Sequence, residues 1–453
     1  MKAGIHLKVI LFPLLLSFLL PSVHGQSLEE KIDRLLQEKY KTDGPGATAL
    51  VAKNGKVIYS KAFGMADLEL NVPMKPEHIF EIGSITKQFT AVSVLMLVEQ
   101  GKLNLDDEIT VFIPDYPTHG KRITVHHLLT HTSGIKSYTS MPVLREIATK
   151  DLTPMELIDV FKDEPMDFDP GEAYRYNNSG YILLGYIIEK LSGESYANFI
   201  QKNIFDKAGM NSSYYANHFK LIKGRASGYM RSNEYINANY ISFSIPYAAG
   251  SLMSNTNDLL KWQQAINNNT FVKEETIKKA FTNYTLNNGE PIYYGYGWAI
   301  NEINGSPSRE HGGGIFGFTT QGIYIPGQDV YVAVLTNCSC NSPGDVTTKI
   351  AALAIGKPFP EPENIISLSE SQLKKWLGKY KFEDEAIRSI TLENGQLFSQ
   401  REGSNARFKI LPLSPDHFYF EDGFIEYKFS KSKGKREVLF KNRINHSKGV
   451  EIK

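Results

Sequence analysis

Cysteine is nearly absent: Cys338 and Cys340 are the two in 453 residues. That excludes a disulfide scaffold and a four-thiolate zinc site. A dominant charge is lacking too, with 50 Lys+Arg against 49 Asp+Glu and a formal charge of +1. Loss of Lys2 and Lys8 with an N-terminal leader leaves −1. A nucleic-acid binder needs a basic face to neutralise phosphates, so nucleic acid is not an expected partner. After the first 25 residues there is no apolar run of the roughly 20 residues that a spanning helix takes. Internal repeats and long low-complexity tracts are also missing. What remains is 42% hydrophobic, too apolar for disorder. A chain of this length can bury a large core and is expected to form more than one domain.

Lys2 and Lys8 flank the start of an apolar run from Val9 to Leu20, and Val23-His24-Gly25 then meets polar Gln26. This pattern describes a secretory signal peptide over residues 1–25, with an uncleaved anchor as the alternative. The run is short for a spanning helix, and no cysteine follows it to carry a lipid. An exported protein, periplasmic or secreted and without a stable membrane anchor, is expected. Cys338 and Cys340 sit two apart after Tyr331 to Leu335. That separation on a strand is poor for a bridge, so two structural thiols are expected.

Ala47 to Ala52, Asn54-Gly55 and Val57 to Phe63 predict a β-hairpin. Ile85 to Val98 is apolar on nearly every face, which predicts a buried helix, with Gly101 as its C-terminal stop. Helical segments follow at Val125–Leu129, Pro154–Phe161, Tyr181–Leu191 and Thr256–Ile266. Strands return at Tyr296–Ile300, Phe318–Ile325 and Tyr331–Leu335, before a helix over Val346–Ile355. The order predicts an α+β domain over residues 26–356, an antiparallel sheet flanked by helices and closed by both chain ends, with a helical region inserted. Prolines 358, 360 and 362 predict a linker over 357–368. From 369 to 453, seven short strand candidates with Asn394-Gly395 and Asp422-Gly423 turns predict a small antiparallel β-barrel-like domain. The basic run from Lys428 to Arg436 reads as a solvated hairpin tip.

Three short motifs bear chemistry. Ser84-Ile85-Thr86-Lys87 follows Gly83 and opens the buried helix. Residues three apart share a helix face, so Lys87 can reach the Ser84 hydroxyl. The helix N-terminus favours an oxygen that turns negative. A serine cap with a solvent lysine fits the same four residues equally well. Lysine as base must be neutral part of the time, which takes a drop of about 3.4 pH units, roughly 4.6 kcal/mol. Full burial can supply that, so burial of Lys87 is required. Tyr176-Asn177-Asn178 follows Pro170-Gly171-Glu172 and enters a helix-like run. A phenol beside an ammonium has its pKa lowered and can pass a proton, while Asn178 can hold an amide. A packed aromatic with a turn asparagine fits that triplet as well. His311-Gly312-Gly313-Gly314 precedes the strand from Phe318. Its glycines let a substrate lie close to backbone, and a plain strand-entry turn also accommodates them. His127 and His131 are four apart, but Leu128 stands where a metalloprotease helix needs Glu. No metal and no cofactor is expected.

Together and in order these segments resemble the β-lactamase-related serine hydrolases, the group of class C β-lactamases and serine D-Ala-D-Ala carboxypeptidases. Phe80–Lys87, Gly101–Asp107, Leu128–Gly134, Ala248–Leu252 and Gly295–Trp298 all look like that family, over roughly residues 29–350. The tail is similar to the lipocalin-like extension of some members. The resemblance implies Ser84 as the nucleophile of an acyl-enzyme and Lys87 with Tyr176 sharing acid and base work. It implies an oxyanion hole from the backbone N–H groups of Ser84 and Gly314, with Asn178, His311 and Gly313 lining and orienting the substrate. The substrate would be a small molecule, peptide or cell-wall fragment. One departure is His311, where the carboxypeptidases and class C enzymes typically carry a lysine. Histidine is mostly neutral at neutral pH, which argues against efficient β-lactam hydrolysis and leaves peptides, amides and esters. A penicillin-binding sensor that acylates but turns over slowly needs the same residues, and a scaffold on a retired fold is a third reading.

Overall fold

Asn54-Gly55 joins β1 (Ala47–Lys53) to β2 (Lys56–Phe63) in the hairpin that the turn signal predicts. In the computed structural model, which describes residues 26–361, 364–421 and 423–452, four strands from the far end of the domain complete this sheet. They are β3 (Ala299–Ile303), β4 (Ser306–Ile315), β5 (Phe318–Ile325) and β6 (Val330–Thr336). The strand order is β3-β4-β5-β6-β1-β2, antiparallel throughout. Both ends of the domain therefore meet where Ala47 pairs with Thr336. The expected leader over residues 1–25 and Asp422 of the expected Asp422-Gly423 turn lie outside the described residues.

Five longer helices frame the sheet: α1 (Leu28–Lys39), α2 (Thr86–Glu99), α3 (Asn178–Ser192), α4 (Thr256–Asn267) and α5 (Gly344–Ala354). The period of two in a strand sends alternate residues to opposite faces. Val330, Val332 and Val334 accordingly pack with Ile32 and Leu36 of α1 and Ile350 of α5. Ala333, Leu335 and Leu50 point the other way, into a larger core with Phe89, Leu183 and Trp262 of the inserted helices. Helix α2 buries every residue from Thr86 to Leu97, which explains its all-round apolar sequence.

Four expectations need correction. His311 to Gly314 lie inside β4, not in an entry turn; pairing with β5 overrides the weak strand preference of glycine. The strand read at Tyr296–Ile300 begins at Ala299, because Gly295, Gly297 and Trp298 form a turn, with Gly295 N–H bonded to Trp298 O at 2.8 Å. Cys338 and Cys340 are joined as a disulfide, since the chain has already turned out of β6 and their Cα atoms are 5.1 Å apart. The C-terminal domain has an eighth strand, Asn445–Ile452, which its polar composition hid. With it, β7 (Gly378–Phe382), β8 (Ile387–Glu393), β9 (Gln396–Arg401), β10 (Arg407–Pro412), β11 (His417–Phe420), β12 (Ile425–Ser432), β13 (Lys435–Asn442) and β14 (Asn445–Ile452) close into a barrel. Trp376, Tyr380, Phe418, Tyr427 and Phe429 fill its interior.

One contact ties sheet to helices. A side chain at Gly313 would put its Cβ 2.0 Å from Ile82 O and 2.3 Å from Thr320 Oγ1. Only glycine lets β4 lie against the turn that leads into α2. Gly313→Ala is expected to cost about 1–3 kcal/mol by overpacking and to separate β4 from that turn. Thermal denaturation with an unchanged Tm would contradict this account of the contact.

Candidate active site

Ser84 stands in a single 3₁₀ turn, Gly83–Ile85, immediately before α2. Gly83 holds φ +50°, and a Cβ there would lie 2.8 Å from the Gly314 nitrogen. The tight turn and the glycine strand therefore fix each other. No side chain caps this helix start, so Ser84 is not the simple capping serine its sequence also allowed.

Lys87 is 0% exposed. Its Nζ lies 2.8 Å from Asn178 Oδ1, 2.9 Å from Ala249 O and 3.1 Å from Ser84 Oγ. Desolvation holds its pKa well below the ordinary 10.5, and it is the sole cause acting on the group. A neutral amine has two N–H donors and one lone pair. Two fixed carbonyl-type oxygens can take the two donors, and the Ser84 hydroxyl stands within hydrogen-bond distance of the same nitrogen. Asn178 is itself held, its Nδ2 donating to Thr139 Oγ1 at 2.9 Å and its backbone N–H to Ser137 Oγ at 3.2 Å.

Tyr176 arrives from the loop before α3, capped by the Asn177 side chain on Gly180 N–H. Its ring lies 4.8 Å from Lys87 Nζ, and its hydroxyl bonds with Ser84. The ring keeps 37% of its surface exposed, yet burial of its hydroxyl end dominates and pushes the phenol pKa up; the Ser84 bond lowers it less. The expected lowering by an ammonium neighbour is corrected, because the buried lysine favours its uncharged form. Tyr176 is thus held as a neutral phenol.

His311 is buried, and neither ring nitrogen faces the cleft freely. Nδ1 donates to Gly312 O at 2.6 Å and Nε2 accepts from Tyr294 Oη at 2.8 Å. Burial foremost, then Lys87, lowers its pKa to about 3, so it is neutral. It abuts the Tyr176 ring at 6.1 Å between centroids. Gly313 likewise meets Ile82 and Thr320 rather than an open cleft. The structure therefore gathers Ser84, Lys87, Tyr176, Asn178 and Gly314, and sets His311 and Gly313 behind them.

Sequence reasoning missed His131 and Tyr294. His131 is fully buried at φ +61°, accepts the Asn177 N–H through Nδ1 at 3.1 Å, and lies 4.3 Å from the Tyr176 ring. Burial pushes its pKa well down. It holds the backbone that presents Tyr176 and Asn178. Its place in the Leu128–Gly134 segment was the available signal, read there only for metal. His127 instead accepts its own Thr124 N–H, so the two rings serve different turns.

A cleft of about 130 Å³ opens beside Ser84, lined by Tyr138, Leu144, Ile241, Pro246, Ile315 and Phe316 among others. No charged side chain is among its lining residues. Pairing between β3 and β4 stops at Ala299–Glu310. Among the described residues no strand covers that edge of His311 to Ile315, so it is open beside the cleft.

An α+β sheet of this order, with a serine at a helix mouth and a desolvated lysine one turn later, defines a serine hydrolase of the β-lactamase and penicillin-binding kind. The Beta-lactamase family profile matches residues 29–357, and the chain belongs to that family. It is 30% identical over 433 residues to Penicillin-binding protein 4* of Bacillus subtilis (strain 168), spanning 90% of this chain and 93% of that protein. A D-aminopeptidase of Gluconobacter oxydans (strain 621H) is 26% identical over 326 residues, spanning 71% of this chain and 60% of that protein. Among solved structures, the octameric penicillin-binding protein homologue from Pyrococcus abyssi matches with TM-score 0.65 at 30% identity, over 93% of this chain and 99% of that one.

The depressed Lys87 pKa sets a pH profile. A base is active above its pKa, so acylation of Ser84 by a chromogenic ester should rise with pH and level off well below 10.5. A rate still climbing at pH 10.5 would contradict the arrangement.

Proposed function

We propose that the protein cleaves amide or ester bonds of small peptides, including D-residue or cell-wall-type substrates, through an acyl-enzyme on Ser84. The observation that carries this reading is the amine of Lys87, fully buried, with two oxygens to take its N–H groups and the Ser84 hydroxyl 3.1 Å from its nitrogen. Lys87 takes the Ser84 proton as the oxygen attacks the carbonyl. The backbone N–H groups of Ser84 and Gly314 receive the developing oxyanion, usually the largest catalytic contribution. Tyr176, kept neutral by burial, passes a proton to the departing amine or alcohol. Water then attacks the ester, and the same groups act in reverse.

The apolar lining beside Ser84 favours an uncharged, apolar group on the acyl side. The D-aminopeptidase relative supports D-residues as substrates. A neutral His311 with both nitrogens engaged offers no cation for a substrate carboxylate. That disfavours β-lactams as efficient substrates. The N-terminal pattern of residues 1–25 supports export. The Cys338–Cys340 disulfide fits an oxidising compartment.

Ser84→Ala should lower turnover of a chromogenic ester and of D-aminoacyl amides by about 10³-fold or more. It should also abolish the covalent adduct seen by mass spectrometry. Full activity in that variant would refute the assignment. A burst of one product per enzyme without turnover would replace the hydrolase with a slow acyl-enzyme sensor.

A further inference from the structure

The hairpin between β13 and β14 reaches out of the barrel and docks on β4. At its tip Arg443 donates to both carboxylate oxygens of Glu310, at 2.9 and 2.8 Å, and to Glu302 O at 2.9 Å. Asn301 Nδ2 supplies a further bond to Glu310 at 2.9 Å. Both charged side chains are largely buried, at 13% and 8% exposure for Arg443 and Glu310. Lys441 pairs with Glu302 beside them at 3.0 Å. Arg443 adopts φ +54°, a conformation that hairpin turns normally assign to Asn or Gly. A locally disfavoured residue there implies that its side chain serves something beyond the turn.

What it serves is the root of the glycine strand. Glu310 is the last β4 residue that pairs with β3. The next five residues, His311 to Ile315, pair with β5 on one edge, meet Ile82 and Gly83 at Gly313 and Gly314, and include three glycines. Such a segment has few side chains to pack and is intrinsically soft. Glu310 and His311 are adjacent and face opposite sides of the sheet, the first toward the barrel and the second toward Tyr294 and Tyr176. Clamping Glu310 therefore fixes where the Gly314 N–H lies relative to Ser84.

We propose that Arg443 is a positioning residue for the oxyanion-binding strand, so that the barrel is a working part of the hydrolase and not an appended module. The inference rests on the Ser84 acyl-enzyme reading above. Displacing a donor slightly costs transition-state stabilisation without much loss of ground-state binding.

The test uses the full chain and p-nitrophenyl acetate in pre-steady-state acylation. Arg443→Gln should slow acylation about tenfold to a hundredfold with KM nearly unchanged, and Arg443→Lys should recover part of the rate. Glu310→Gln combined with Arg443→Gln leaves no unpaired buried charge and supplies a folded control if the single variant fails to fold. It should remain slow. Wild-type acylation in either folded variant, whatever happens to Tm, would overturn the proposal and leave Arg443 as a stabilising contact alone. Failure of the underlying reading looks different: Ser84→Ala would then keep acylating while Arg443→Gln had no bearing.

Discussion

The site depends on keeping one amine out of water. Among the described residues no acidic side chain pairs with Lys87, and desolvation lowers its pKa. A chain bears the cost of a buried, uncharged lysine only when the surrounding packing enforces it. Helix α2 supplies that packing by burying every side chain around it. Two oxygens from separate segments, Asn178 Oδ1 and Ala249 O, then orient the amine. Tyr176 follows from the same constraint. Its hydroxyl end is buried along with the amine, and that burial pushes the phenol pKa up, so it keeps its proton.

A second layer carries this arrangement into the sheet. His131 holds the loop of Tyr176 and Asn178, while Tyr294 holds His311 in β4. Gly83 and Gly313 let strand and turn approach within contact of each other. Beyond Glu310, no strand among the described residues pairs with that edge of β4. The barrel meets β4 just upstream of that edge, through Arg443 and Glu310. Catalytic geometry is thus shared among elements far apart in the chain.

Much of this was legible beforehand because its signals are local. The Asn54-Gly55 hairpin, the apolar α2 and the return of strands after the inserted helices all announce themselves by spacing. Ser84, Lys87, Tyr176 and Asn178 were findable because their motifs sit at helix entries. What escaped was non-local. The strand character of His311 to Gly314 comes from pairing with β5, not from glycine's own preference. The eighth barrel strand is polar and gains its place by closing on β7. The Tyr176 pKa was read in the wrong direction because burial, invisible in the sequence, outweighs the local bonds. Arg443 carries no local signal, because its partner Glu310 lies in another domain.

The central claim is that burial holds the Lys87 amine well below the ordinary lysine range. Lysine selectively labelled with ¹³C at Cε and ¹⁵N at Nζ, assigned by comparison with Lys87→Arg, allows its titration to be followed directly by NMR. The account predicts a midpoint far under the ordinary 10.5. A Lys87 resonance that titrates at the ordinary 10.5 would contradict it.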